Sequence, residues 1–155
     1  MRNNKGFSLV ELIIVIAIMA ILVGVMAPQL IKYIEKTNVS SDTQLCDSVK
    51  TAITTAMMDP SVLSDTNNGI GGLTGGSVAS IDTTKAVGKE IAIILGMDLS
   101  AINSEIKSSN ESGSGSTAGM SVQYAVVNSN SVHVWIDKSD ATGQKKSANA
   151  DIYVD

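Results

Sequence analysis

Lys5-Gly6-Phe7-Ser8-Leu9-Val10-Glu11-Leu12-Ile13 opens an apolar run that continues to Ala27, and the reading of this 155-residue chain turns on it. Between Phe7 and Ile31 the only formal charge is Glu11. A helix over those residues would extend roughly 37 Å at about 1.5 Å per residue. That is enough to cross a hydrocarbon core about 30 Å thick. Arg2 and Lys5 precede the run, so the positive-inside bias places the leader in the cytoplasm and the rest of the chain outside.

Two ordinary readings meet obstacles here. A secretory signal peptide has the same basic and apolar regions, and Val25-Met26-Ala27 resembles its cleavage site. The run is longer than an ordinary signal core, however, and Pro28 would follow the cut, where proline is poorly accepted. A plain signal anchor leaves Glu11 unexplained. A carboxylate at that depth costs on the order of a few kcal/mol unless it has a partner.

The stretch from Lys5 to Ile13 resembles the class III signal and N-methylation site of type IV prepilins and related pseudopilins. The shared pattern is a basic leader ending in Gly, a Phe after the cut, a Glu as fifth mature residue, and about twenty apolar residues. The resemblance covers roughly residues 1–35. It implies that a membrane-embedded prepilin peptidase cuts between Gly6 and Phe7, leaving residues 1–6 as leader, and that Phe7 is then N-methylated. Glu11 gains a partner in the new Phe7 amine, of its own chain or of a neighbouring subunit, and such a pair sets axial register between packed helices. Gly24 and Pro28 mark where a kink or a melted turn is expected, since proline removes a backbone bond and glycine lowers helix stability. Pilins commonly lose helix there on entering filaments; a static proline kink is the plainer alternative.

Past Pro28 the apolar residues narrow to one face, with Leu30, Ile34, Leu45, Val49, Ile53, Ala56 and Met57 at helical spacing. The expected helix runs from about Ser8 to Met58, its transmembrane part ending near Ile31 and an amphipathic half covering 32–58. Asp59-Pro60 supplies the stop. Residues 59–119 read as a loop region with short helices. Within it, residues 61–83 are rich in Ser, Thr, Asn and Gly, and the run Gly69 to Gly76, which lacks the spacing of a phosphate-binding loop, reads as a flexible surface connection. Thr84 to Leu95 suggests a short helix ending at Gly96, with a strand over Ile91 to Leu95 as the alternative, and Leu99, Ile102 and Ile106 suggest another turn or two. Alternation over Met120–Val126 and Val132–Ile136, with a closing segment Asp151–Val154, predicts an antiparallel three-stranded sheet in 120–155. Asn128–Ser131 and Asp140–Gly143 supply its turns. The fold class is α+β: a long N-terminal helix packed on a small antiparallel sheet, as in type IV pilins.

The chain shows no catalytic constellation. His133, the single histidine, reads as a sheet residue beside Trp135. Cys46, the single cysteine, excludes an intrachain disulfide and a multi-thiolate zinc site, and reads as a small buried apolar group. Asp137, Asp140, Asp151 and Asp155 could gather near the last hairpin, but their spacing matches no EF-hand and solvated surface is the better reading. Asn38-Val39-Ser40 fits the glycosylation pattern, which occurs often by chance. The net charge of −4 and a lone arginine, Arg2, leave no basic surface for nucleic acid. No cofactor is expected.

The resemblance implies a structural subunit, not an enzyme. It implies a single-pass precursor in the cell membrane that is extracted into an extracellular type IV pilus serving adhesion, twitching motility and biofilm formation. Its implied partners are further copies of itself in a homopolymer, the prepilin peptidase, an assembly ATPase, a platform membrane protein and minor pilins. The lack of paired cysteines departs from many Gram-negative pilins, puts a disulfide-bounded loop in doubt, and tilts the resemblance toward a Gram-positive, clostridial source. The alternatives are a pseudopilin of a secretion or DNA-uptake system and, in another class, a bitopic membrane protein with a ligand-binding head.

Overall fold

The computed structural model describes residues 7–65, 70, 73, 75–108, 120–128, 131–139, 145–146 and 153–154. Two compact units divide at residues 36 and 37, and one helix, α1 (Leu9–Met58), runs through both.

In the first unit every side chain from Phe7 to Ile34 is exposed. The most apolar 18-residue window of α1 reaches a mean hydropathy of 3.0 with none of it buried. A helix apolar on all faces has to be covered by something else, whether lipid or other helices. Leu30 and Ile34, expected on the buried face, are exposed here at 60% and 52%. Where the run is apolar all round, periodicity carries no information about which face is covered, and those two positions sit at its fading edge.

In the second unit α1 turns one face inward through Asp42, Cys46, Val49, Ala52, Ile53, Ala56 and Met57. Steps of three and four residues link them, with Ala52–Ile53 and Ala56–Met57 as adjacent pairs, the pattern of one broad helical face. Opposite them lies an antiparallel sheet of β1 (Gly76–Ser77), β2 (Ser121–Asn128), β3 (Ser131–Ser139), β4 (Lys145–Lys146) and β5 (Tyr153–Val154). β3 is its centre: β2 pairs along one edge, with Tyr124 opposite Val134, while β5 and β4 share the other. Val132, Val134 and Ile136 point into the core with Val122 and Tyr124, and His133 and Trp135 on alternate positions are half-buried. The strands expected over 120–126 and 132–136 are thus present, antiparallel and apolar toward the core, and the closing one pairs with β3 at Tyr153 and Val154. Asp151 and Ile152, the whole second turn Asp140–Gly143, Ser129 and Asn130 of the first turn and the leader lie outside the described residues.

The described residues after α1 carry short elements and core anchors. Asp59 caps α2 (Pro60–Ser64), its carboxylate accepting the Ser61 N–H at 2.7 Å. Val62, Leu73, Val78 and Ile81 all join the core, and Gly76 pairs with Tyr124 of β2. Gly75 and Gly76 enter that strand with φ of +84° and +117°, a path open to glycine. A turn-rich composition hid these scattered apolar anchors; Gly69, Gly71, Gly72 and Thr74 of the same run are outside the described residues. Between the strand alternative and the helix, the segment after Lys85 is helical: α3 (Ala86–Leu95) closes on Gly96 at φ +66°, whose N–H reaches Ala92 O at 3.0 Å. Leu99–Glu105 forms a 3-10 helix that buries Leu99 and Ile102.

Candidate functional site

The candidate site is the start of α1. Ser8 precedes the first helical residue, and its backbone N–H donates to Glu11 Oε2 at 2.9 Å. This is one half of a capping box, in which the third residue of a helix reaches back to the residue before it. The spacing Ser8-x-x-Glu11 carries that signal. Glu11 therefore has a local role before any partner arrives: it satisfies an amide that the helix leaves open and places negative charge at the positive end of the dipole. Phe7, one residue upstream, is 91% exposed. The carboxylate is thus held within one residue of the chain position where the expected cleavage would create an amine. Gly6 lies outside the described residues.

Gly24 and Pro28 are four residues apart, so Pro28 removes the helical hydrogen bond that the Gly24 carbonyl would accept. α1 is nonetheless continuous through both. A Cβ added at Gly24 would meet nothing within 4 Å. Packing among the described residues of the first unit therefore does not require glycine at this position.

A second polar site escaped the sequence reading. Asp42 is fully buried on α1, and its two carboxylate oxygens accept the N–H groups of Lys107 and Ser108, each at 2.8 Å. Its position one turn before Cys46 on the apolar stripe was the available signal, because an acid on a core face must find donors. Cys46 is fully buried too. Burial, with smaller contributions from the Asp42 and Asp47 charges, pushes its thiol up to about 12, so it is neutral at physiological pH.

An open groove of about 570 Å³ lies between α1 and α3, lined by Gln44, Asp47, Ser48, Thr51, Ala52, Ile94 and Leu95. No histidine or lysine stands among these lining residues. Among the described residues no three His, Cys, Asp or Glu side chains gather to hold a metal. Of the acids considered for calcium, Asp137 is described, whereas Asp140, Asp151 and Asp155 are not. His133 sits half-buried on the sheet.

Comparison with known proteins points to the same end of the chain. The family model described as "Prokaryotic N-terminal methylation motif" matches residues 1–27. A fimbrial protein of Moraxella nonliquefaciens is 46% identical over 55 residues, which is 36% of each chain. The type IV major fimbrial protein FimA of Dichelobacter nodosus is 41% identical over 56 residues, again 36% of each. The type IV wide pilus major component PilA4 of Thermus thermophilus is 55% identical over 38 residues, 24% of this chain and 29% of that one. The matches thus span about a third of the relatives' length, and no solved structure matches. In its motif, its exposed apolar helix and its relatives, the N-terminal third of this chain is similar to that of type IV prepilins.

Proposed function

We propose that the chain is a structural subunit that polymerises through its N-terminal helix into a type IV pilus. The observation that carries this reading is the uniform exposure of α1 from Leu9 to Ile34, an apolar surface that lipid or like helices would cover. The subunit waits in the membrane, loses residues 1–6 to a prepilin peptidase that cuts Gly6–Phe7, and has Phe7 methylated. An assembly ATPase and a platform protein then extract it into a homopolymer that minor pilins initiate. The filament serves adhesion, twitching motility and biofilm formation.

Glu11 is the centre of the assembly step. In the uncut chain it accepts from Ser8 N–H through Oε2. A carboxylate has about four acceptor positions, so the same group still accepts from an incoming ammonium. Pairing it with the Phe7 amine of a neighbouring subunit removes two charges from a low-dielectric environment together, and a register one turn out of place leaves both unpaired. Gly24 and Pro28 supply the weak turn at which the helix adapts to the filament.

The test is Glu11→Ala expressed in the source organism. The variant is expected to be cleaved and membrane-inserted while surface filaments become rare or absent under electron microscopy. Normal filament numbers would refute the role given to Glu11.

A further inference from the structure

Where the uncharged run ends, α1 carries Gln29 within its last turn and Lys32, Tyr33 and Lys36 just past it, and together they line a cleft of about 200 Å³. Their spacing of three, four and seven residues puts them on one face of the helix. Each side chain is exposed and each ends in a hydrogen-bond donor: an amide, two ammonium groups and a phenol. From Leu12 to Ile31 the helix has no charge over about 30 Å, close to the thickness of a hydrocarbon core. The cleft therefore falls at the level of lipid headgroups, where long cations extend their ammonium groups toward phosphate and tyrosine is favoured. Glu35, the one acid nearby in sequence, sits about a third of a turn off this face and is half-buried.

From this placement we propose that Gln29, Lys32, Tyr33 and Lys36 form a binding site for the phosphodiester headgroup of an anionic phospholipid, which holds the stored subunit at a fixed depth before assembly. The site rests on the membrane reading given above. Two ammonium groups one turn apart favour an anionic headgroup over a zwitterionic one, in which a choline would be repelled from the same cleft. Removal of the subunit from the membrane then has to break these contacts, so the site couples extraction to headgroup charge.

The test uses the full-length chain in nanodiscs of equal phosphatidylglycerol and phosphatidylcholine, with the lipid retained on release counted by native mass spectrometry. The wild type is expected to retain phosphatidylglycerol preferentially. Lys32→Gln with Lys36→Gln should lower that preference on the order of tenfold, and Lys32→Arg with Lys36→Arg should restore it. An unchanged preference in the glutamine variant overturns the proposal, as does loss of bound lipid to millimolar inorganic phosphate, which would make the cleft a general anion site. A wild type that enters the discs without preference overturns the lipid site alone. A chain that does not enter them overturns the membrane reading as well.

Discussion

Asp42 and Ser108 stand 66 residues apart, yet the Ser108 N–H donates to Asp42 Oδ2 at 2.8 Å inside the fully buried part of the head. The neighbouring Lys107 N–H donates to the other oxygen at 2.8 Å. One side chain of the long helix thereby fixes the exit of the 3-10 segment that leads toward the sheet. Replacing it with alanine strands two amides, and hydrogen bonds to a charged acceptor contribute about 1.5–3 kcal/mol each. Asp42→Ala is expected to lower unfolding free energy by about 3 kcal/mol in urea titrations of the full chain, and Asp42→Asn, which keeps one acceptor, by about half as much. Equal stability of the alanine variant would show that the pairing contributes nothing.

Gly88 tests the packing of α3 in the opposite sense to helix propensity. Gly→Ala in a helix interior ordinarily stabilises by up to about 1 kcal/mol. A Cβ here, however, would run into the carbonyl of Asp82 and approach Ile81. Gly88→Ala is expected to destabilise by about 1–3 kcal/mol, because the obstacle is backbone and cannot swing away. A gain in melting temperature would contradict the observed approach of α3 to the Asp82 turn.

Three surface turns share one device. Asp59, Asp82 and Asp98 each accept through Oδ1 from the backbone N–H and hydroxyl of the residue two places on: Ser61, Thr84 and Ser100. Bonds from the Ser61 and Thr84 hydroxyls and from the Ser100 amide lead in holding these carboxyls below the usual range. A folded-state pKa below the unfolded one gives stability that is present above the unfolded value and lost as pH falls through the folded one. Melting temperature should therefore decline below about pH 4. Cys46 works in the other direction: its thiol is raised to about 12, so its contribution is complete below its unfolded value and lost as pH rises through the alkaline range. Thiol-reactive probes should label the native chain slowly at neutral pH and rapidly once it is unfolded in urea.

Much of this architecture was legible because two periods are written in the chain. The alternation of Val122, Tyr124 and Val126 with Val132, Val134 and Ile136 announced the hairpin, and the three-to-four spacing of Val49, Ile53, Ala56 and Met57 announced the helix face beneath it. The same periodicity misled at Leu30 and Ile34, where apolar residues fill every face and the pattern loses direction. What stayed hidden was carried by single residues with distant partners. Asp42 looks like any surface acid until Lys107 and Ser108 arrive, and Val62, Leu73 and Val78 are isolated apolar positions in a glycine- and serine-rich stretch. The amide partner of Glu11 within the chain is legible in the Ser8-x-x-Glu11 spacing.

Gly24 separates a local from an assembled role. Nothing lies within 4 Å of an added Cβ, so Gly24→Ala should leave processing and membrane insertion intact while strengthening the helix by about 0.5–1 kcal/mol. If the turn ending at Pro28 must loosen in the filament, the variant should yield fewer or shorter pili in electron micrographs. Unchanged pili would leave Pro28 alone as the source of the weak turn.

The central claim is that Gly6–Phe7 is cut and that the exposed helix then builds a filament. The most direct measurement is the intact mass and N-terminal sequence of the main band in filaments sheared from the surface of the source organism. The account predicts a chain that begins at an N-methylated Phe7. A chain that still begins at Met1, or one cut after Ala27, would contradict it.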